Sequence, residues 1–130
     1  MRLFSLVLVL VFVGSVASAK DGTIALFCSD NASNGFTKNG EATRWTRERF
    51  SAVFTDKSYR TLKIANKTFL CSVESYVGVT TVECNHLKGA SFFFNPSNGR
   101  YIWMTASSYG WLSVQKDPTA STRIGTCTTF

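Results

Sequence analysis

Histidine is almost missing from this chain: His86 is the only one in 130 residues. Metal centres and acid–base sites lean heavily on imidazole, and no close group of Cys, Asp or Glu has ligand spacing to replace it. Cys84-Asn85-His86 is the nearest approach to a ligand pair, but an oxidised Cys84 cannot ligate. No metal and no cofactor are therefore expected. A G-x-S-x-G elbow is also lacking, so a small hydrolase using His86 stands only as an alternative. Glu74 and Glu83 are near it in sequence, but two solvated carboxylates lack the environment that pushes their pKa values apart for glycosidase chemistry.

Like-charge runs are missing as well. Fourteen Lys and Arg against eight Asp and Glu give a net charge of +6, yet no two cations are adjacent. Basicity favours acidic surfaces in general, but dispersed cations describe a solvated surface and not a tail that grips phosphates. No stretch keeps a helical period, and there is no internal repeat or low-complexity tract. The single long apolar run, residues 3–16, has 14 residues, short of the roughly 20 needed to span a bilayer as a helix.

That run follows Arg2 and precedes Ala17-Ser18-Ala19, the arrangement of a cleavable secretory signal. Residues 1–19 are expected to be removed, leaving residues 20–130 as one domain with no membrane insertion and a formal charge of +5, since Arg2 is the only charge lost. No cysteine follows the cleavage motif to carry a lipid. The destination is the periplasm or the extracellular space, where nucleic acid is not a routine partner and cysteines oxidise. Cys28, Cys71, Cys84 and Cys127 then read as two structural disulfides, for which four cysteines allow three connectivities.

The remaining sequence is built from short alternating runs punctuated by Gly, Asn, Pro and Asp, an all-β pattern. Strands are predicted over residues 23–28, 49–55, 61–64, 68–73, 80–84, 91–95, 100–105, 111–114 and 122–127. Turns are expected at Asn34-Gly35, Asn39-Gly40, Asn98-Gly99 and Asp117-Pro118. The fold class is all-β, a small antiparallel β-barrel or sandwich with two disulfides.

One hairpin can be placed in register. If Val77-Gly78 is a two-residue turn, Tyr76 opposes Val79 and Cys71 opposes Cys84 at a non-hydrogen-bonded pair, close enough for a disulfide. Phe69, Cys71 and Val73 then share a face with Val82, Cys84 and His86, while Ser72, Glu74, Thr81 and Glu83 face water. Val-Gly is a poor dipeptide for such a turn, so a longer loop with another register stays open. With Cys71 paired to Cys84, Cys28 must pair with Cys127 and join the first and last strands.

Phe92 and Phe94 share one face of their strand and Phe93 takes the other. A covered central strand accounts for this; the alternative is a partner surface made by Phe93 and Ile102. Arg44-Trp45-Thr46-Arg47-Glu48-Arg49 is a further recognition candidate, because strand period would put an indole beside two guanidinium groups. The alternative there is a solvated basic edge. Trp45, Arg47, Arg49, Tyr101, Trp103 and Trp111 are the candidate binding residues, for a protein, glycan or small ligand, on a chain expected to be a monomer.

Two resemblances complete the picture. Gly35-Phe36, Arg49-Phe50-x-Ala52-Val53, Phe69-Leu70-Cys71, Phe92-Phe93-Phe94-Asn95, Gly99-Arg100-Tyr101 and the terminal Ile124-Gly125-Thr126-Cys127-Thr128-Thr129-Phe130 resemble a group of small secreted proteins of Gram-negative bacteria. That likeness covers nearly all of residues 20–130 and implies no activity. More loosely, Ser97-Asn98-Gly99-Arg100-Tyr101 before an aromatic strand is similar to the inhibitory motif of periplasmic inhibitors of C-type lysozyme, which are small antiparallel barrels. Their downstream Lys-Gly element is replaced here by Ser108-Tyr109-Gly110-Trp111. The leading expectation is an exported, non-catalytic binding or interaction protein, with a lysozyme-inhibitor-like role as the first alternative.

Overall fold

The structure, a computed structural model, describes residues 22–37, 39–106 and 120–130. Every regular element in it is a strand: β1 (Ile24–Phe36), β2 (Ala42–Arg44), β3 (Arg49–Phe54), β4 (Thr61–Ile64), β5 (Lys67–Tyr76), β6 (Val79–His86), β7 (Ala90–Phe94), β8 (Arg100–Ala106) and β9 (Ala120–Thr129). Among the described residues no helix is long and apolar enough to cross a membrane. Neighbouring strands pair antiparallel from β3 through β9, and β1 pairs with both β3 and β9. Eight strands thus close into a barrel, while β2 folds back on the far end of β1.

Closure follows from side-chain parity. Along β1, Leu26, Cys28 and Asp30 are buried and alternate with outward residues, as strand geometry demands. Ala52 and Phe54 of β3, Leu62 and Ile64 of β4, Ala90, Phe92 and Phe94 of β7, and Tyr101 and Trp103 of β8 do the same. Aromatic rings fill the inside. Phe50 meets Phe92, Tyr101 and Trp103 edge-on at centroid separations of 6.4, 5.4 and 5.0 Å, and Phe92 stacks on Tyr101 at 5.3 Å. Such contacts add to the area the rings remove from water.

Both disulfides have the expected pairing, Cys28–Cys127 and Cys71–Cys84, each between directly opposed residues. They are consistent with an oxidising compartment. The β5–β6 register is the one expected, with Tyr76 opposite Val79. Val77 and Gly78 both have positive φ, 51° and 75°, the backbone of a two-residue primed turn.

Two readings of the sequence need correction. Asn34-Gly35 is no turn: β1 runs through it, pairing Gly35 with Thr43 on one side and Ser121 on the other. Continuous pairing on both edges overrode the local turn preference, and the chain reverses instead near Gly40, where φ is 80°. Residues 45–48 are not strand, so Trp45, Arg47 and Arg49 do not share a strand face. The expected strand 111–114 and the Asp117-Pro118 turn lie outside the described residues, as do residues 1–19.

Candidate functional site

Asp30 is the most consequential residue that sequence reading passed over. Its side chain is fully buried, because it follows Leu26 and Cys28 at inward positions of β1. A charge taken out of water must be paired, and four donors converge on it. The Tyr101 hydroxyl donates to Oδ1. Arg123 donates to Oδ2 from Nε at 2.9 Å and from Nη2 at 2.7 Å, and the Glu48 backbone N–H adds a bond of 2.9 Å. Arg123 also reaches the Glu48 carboxylate at 3.0 Å.

Neighbouring elements hold this cluster in place. Arg123, inward on β9, places its guanidinium carbon 4.7 Å from the Trp103 ring centroid and 5.4 Å from that of Phe50, within cation–π range. Gly125, one inward position further along β9, lets Tyr101 through: a Cβ there would stand 2.6 Å from the Tyr101 hydroxyl and closer still to the Ser29 carbonyl oxygen.

The electrostatics fit a locked ion pair. Burial would raise the Asp30 carboxyl, but the bonds from Arg123, Tyr101 and Glu48 outweigh it and hold the group below the ordinary carboxylate range. Burial, reinforced by Asp30, pushes the Tyr101 phenol far above its ordinary value. Burial works against the Arg123 charge, yet Asp30 and Glu48 keep the guanidinium even more firmly protonated than usual. None of the three is poised to exchange a proton near neutrality. Their arrangement is that of a buried structural clamp.

The candidate residues separate in space. Tyr101 and Trp103 are 2% and 8% exposed and point into the barrel, so they form no outer surface. Core packing on β8 accounts for them. Trp45 is half-buried at the rim where β1 ends: its backbone N–H donates to the Ser33 carbonyl at 2.8 Å, and its indole nitrogen lies against Gly35. Arg47 and Arg49 are exposed nearby, and among the described residues neither stacks on an indole. Trp111 lies outside the described residues. The indole N–H groups of Trp45 and Trp103 are buried without a hydrogen-bond partner. The His86 ring packs 5.4 Å from Phe69, and its Nδ1 accepts the Lys88 N–H at 3.2 Å. Among the described residues no carboxylate or hydroxyl is hydrogen-bonded to it.

The outer face of β7, β8 and β9 is different in kind. Phe93 opposes Ile102 and Ile102 opposes Ile124, so three apolar side chains form a row across three strands on the solvent side. Ile102 and Ile124 remain 44% and 46% exposed. They floor an open groove of about 510 Å³ whose rim includes Asn31, Thr81, Asn95, Asn98, Arg100 and Thr126. The expected covered strand is thus uncovered on this side.

The β7–β8 turn at the edge of that groove is held tightly. Gly99 N–H donates to the Asn95 carbonyl, Ser97 N–H to Asn95 Oδ1, and Arg100 N–H to Asn98 Oδ1, all at 2.8–2.9 Å. Gly99 has φ of 72° and accepts the Cys127 N–H at 2.7 Å; a Cβ there would collide with the Cys127 carbonyl. The Ser97 side chain is left exposed at the tip.

Parity arguments signalled Phe93 and Ile102, whereas Ile124 and the amide rim could be found only through the pairing of β8 with β9. Compared with protein-family models, with curated proteins and with solved structures, the chain finds no match.

Proposed function

We propose that residues 20–130 are an exported binding domain, delivered to the periplasm or the extracellular space, which acts as a monomer by holding a protein partner against the outer groove of β7–β9. The observation that carries this reading is the apolar row Phe93, Ile102 and Ile124, left open to solvent on a barrel whose inside is already packed with rings. A packed interior leaves the outside as the place for recognition. Contiguous exposed apolar surface with a polar rim is characteristic of protein contact sites. Two exposed isoleucines beside a single half-buried ring favour a protein side chain over a flat sugar face.

The test is a photoreactive p-benzoylphenylalanine at position 102, in the full chain expressed in its own host. A discrete protein adduct that an excess of unlabelled chain abolishes is expected. A control at Lys63, exposed on β4, should give none. Equal labelling from both positions would sink the groove as the site.

A second reading is inhibition of a C-type lysozyme. It is favoured by the rigid turn over residues 95–100, which presents Ser97 beside the groove as a preformed loop able to enter a cleft at low entropic cost. Cell-wall lysis by C-type lysozyme should then slow in proportion to added protein, and Ser97→Trp should abolish the effect. Lysis at an unchanged rate removes this reading.

A further inference from the structure

Residues 72–81 leave the barrel. The β4–β5 ladder stops at Thr61 with Leu70, and the β6–β7 ladder begins at Val82 with Phe94. Between those limits β5 and β6 pair only with each other, so a two-stranded ribbon projects past the rim.

Its tip is apolar and open: Tyr76 is 82% exposed and Val77 is 84% exposed, with Val79 at 49%. Val77 also carries φ of 51°. A β-branched residue in the left-handed region is a true outlier, and local strain of this sort gathers at working surfaces. Asn would make the same turn with less strain; Val instead presents two methyl groups to solvent.

The ribbon continues the groove. On its outer face Tyr76 pairs with Val79, Glu74 with Thr81 and Ser72 with Glu83. Thr81 lines the groove, and Glu83 opposes Phe93 of its floor. Charge separates this surface from the rest of the molecule. Between Lys67 and Lys88 there are two glutamates and no Lys or Arg, a charge of −2 on a chain of +6.

We infer that the β5–β6 ribbon is the recognition finger of the groove, placing Tyr76 and Val77 in an apolar pocket of a basic protein whose cationic rim meets Glu74 and Glu83. The inference rests on the binding role proposed above and names the chemistry of its partner. Apolar insertion supplies the contact area, and the acidic pair supplies orientation and a salt-dependent on-rate.

Position 76 is the test site, with p-benzoylphenylalanine replacing Tyr76 in the full chain and position 102 labelled in parallel. The same basic protein should be captured from both positions. Glu74→Lys with Glu83→Lys should lower the yield from position 76 at least tenfold, as should 0.5 M salt, which shortens the screening length to about 4 Å. Val77→Asn should lower the yield while leaving the melting temperature equal or higher, which separates lost contact from lost fold.

An adduct from position 102 alone overturns the finger and spares the groove, whereas silence at both positions overturns both readings. Capture of an acidic protein, or of a second copy of this chain, overturns the stated partner. Co-sedimentation of the purified chain with phosphatidylglycerol vesicles, lost in Val77→Asn, would transfer the ribbon to a membrane role and overturn it too.

Discussion

Asp30 carries a charge at a position where strand parity demands a core residue, and its neighbours are arranged around that fact. Removing the carboxylate strands the Arg123 guanidinium between Phe50 and Trp103, and breaking a buried pair from one side typically costs about 3–5 kcal/mol. Asp30→Ala should lose that much in urea denaturation, while Glu48→Ala, whose carboxylate is 63% exposed, should lose less than about 1 kcal/mol. The pH dependence has two limbs. The Asp30 carboxyl is lowered on folding, so its stabilisation is present above its ordinary value of 3.8 and is lost as pH falls through the folded value. The Tyr101 phenol is raised, so its stabilisation is complete below its ordinary value of 10.0 and declines once the unfolded chain ionises above it. Denaturation midpoints measured across pH should show both limbs in the native chain, with the alkaline one reduced in Tyr101→Phe. The strand predicted over residues 23–28 stops short of Asp30, so parity does not mark it as an acid at an inward position. Its partner Arg123 lies 93 residues away, and nothing local to either residue announces the other.

The β5–β6 hairpin was the most legible element, because the disulfide and the parity of Phe69 and Val82 point to one register, even though Val-Gly is a poor turn dipeptide. What local pattern could not show was where the hairpin leaves the barrel, since that depends on where the β4 and β7 partners end. Val77 should be a site of stored strain: Val77→Asn is expected to stabilise by about 1 kcal/mol, read as a rise of about 4 °C in the unfolding midpoint. The two bridges should differ in weight. Replacing Cys71 and Cys84 by Ser is expected to cost about 3 kcal/mol and to make residues 72–81 the first site of limited proteolysis. Replacing Cys28 and Cys127 opens a loop of 99 residues and should cost about 4–5 kcal/mol. β1 shows the opposite case to the hairpin, because Asn34-Gly35 has a strong turn signature and is nonetheless held in strand by partners on both edges.

For the whole molecule, separation of roles is the main consequence of a filled barrel. Ring packing and the Asp30 clamp maintain the interior, which leaves the outer face of β7–β9 free to vary without unfolding the protein. Ile102→Asp should therefore cost only about 1 kcal/mol of strand propensity while abolishing crosslinking from position 76, and a loss of several kcal/mol would show that the row serves the fold. The closing seam has a kinetic side as well. The ring is completed only when β9 pairs with β1, across almost the full described length of the chain, and such distant pairings make folding slow because loop closure precedes the reward. An incomplete chain has an open sheet with two bare edges and no bridge across the seam. Folding is thereby deferred until the last strand is available, a delay that would keep the chain open during the export proposed above.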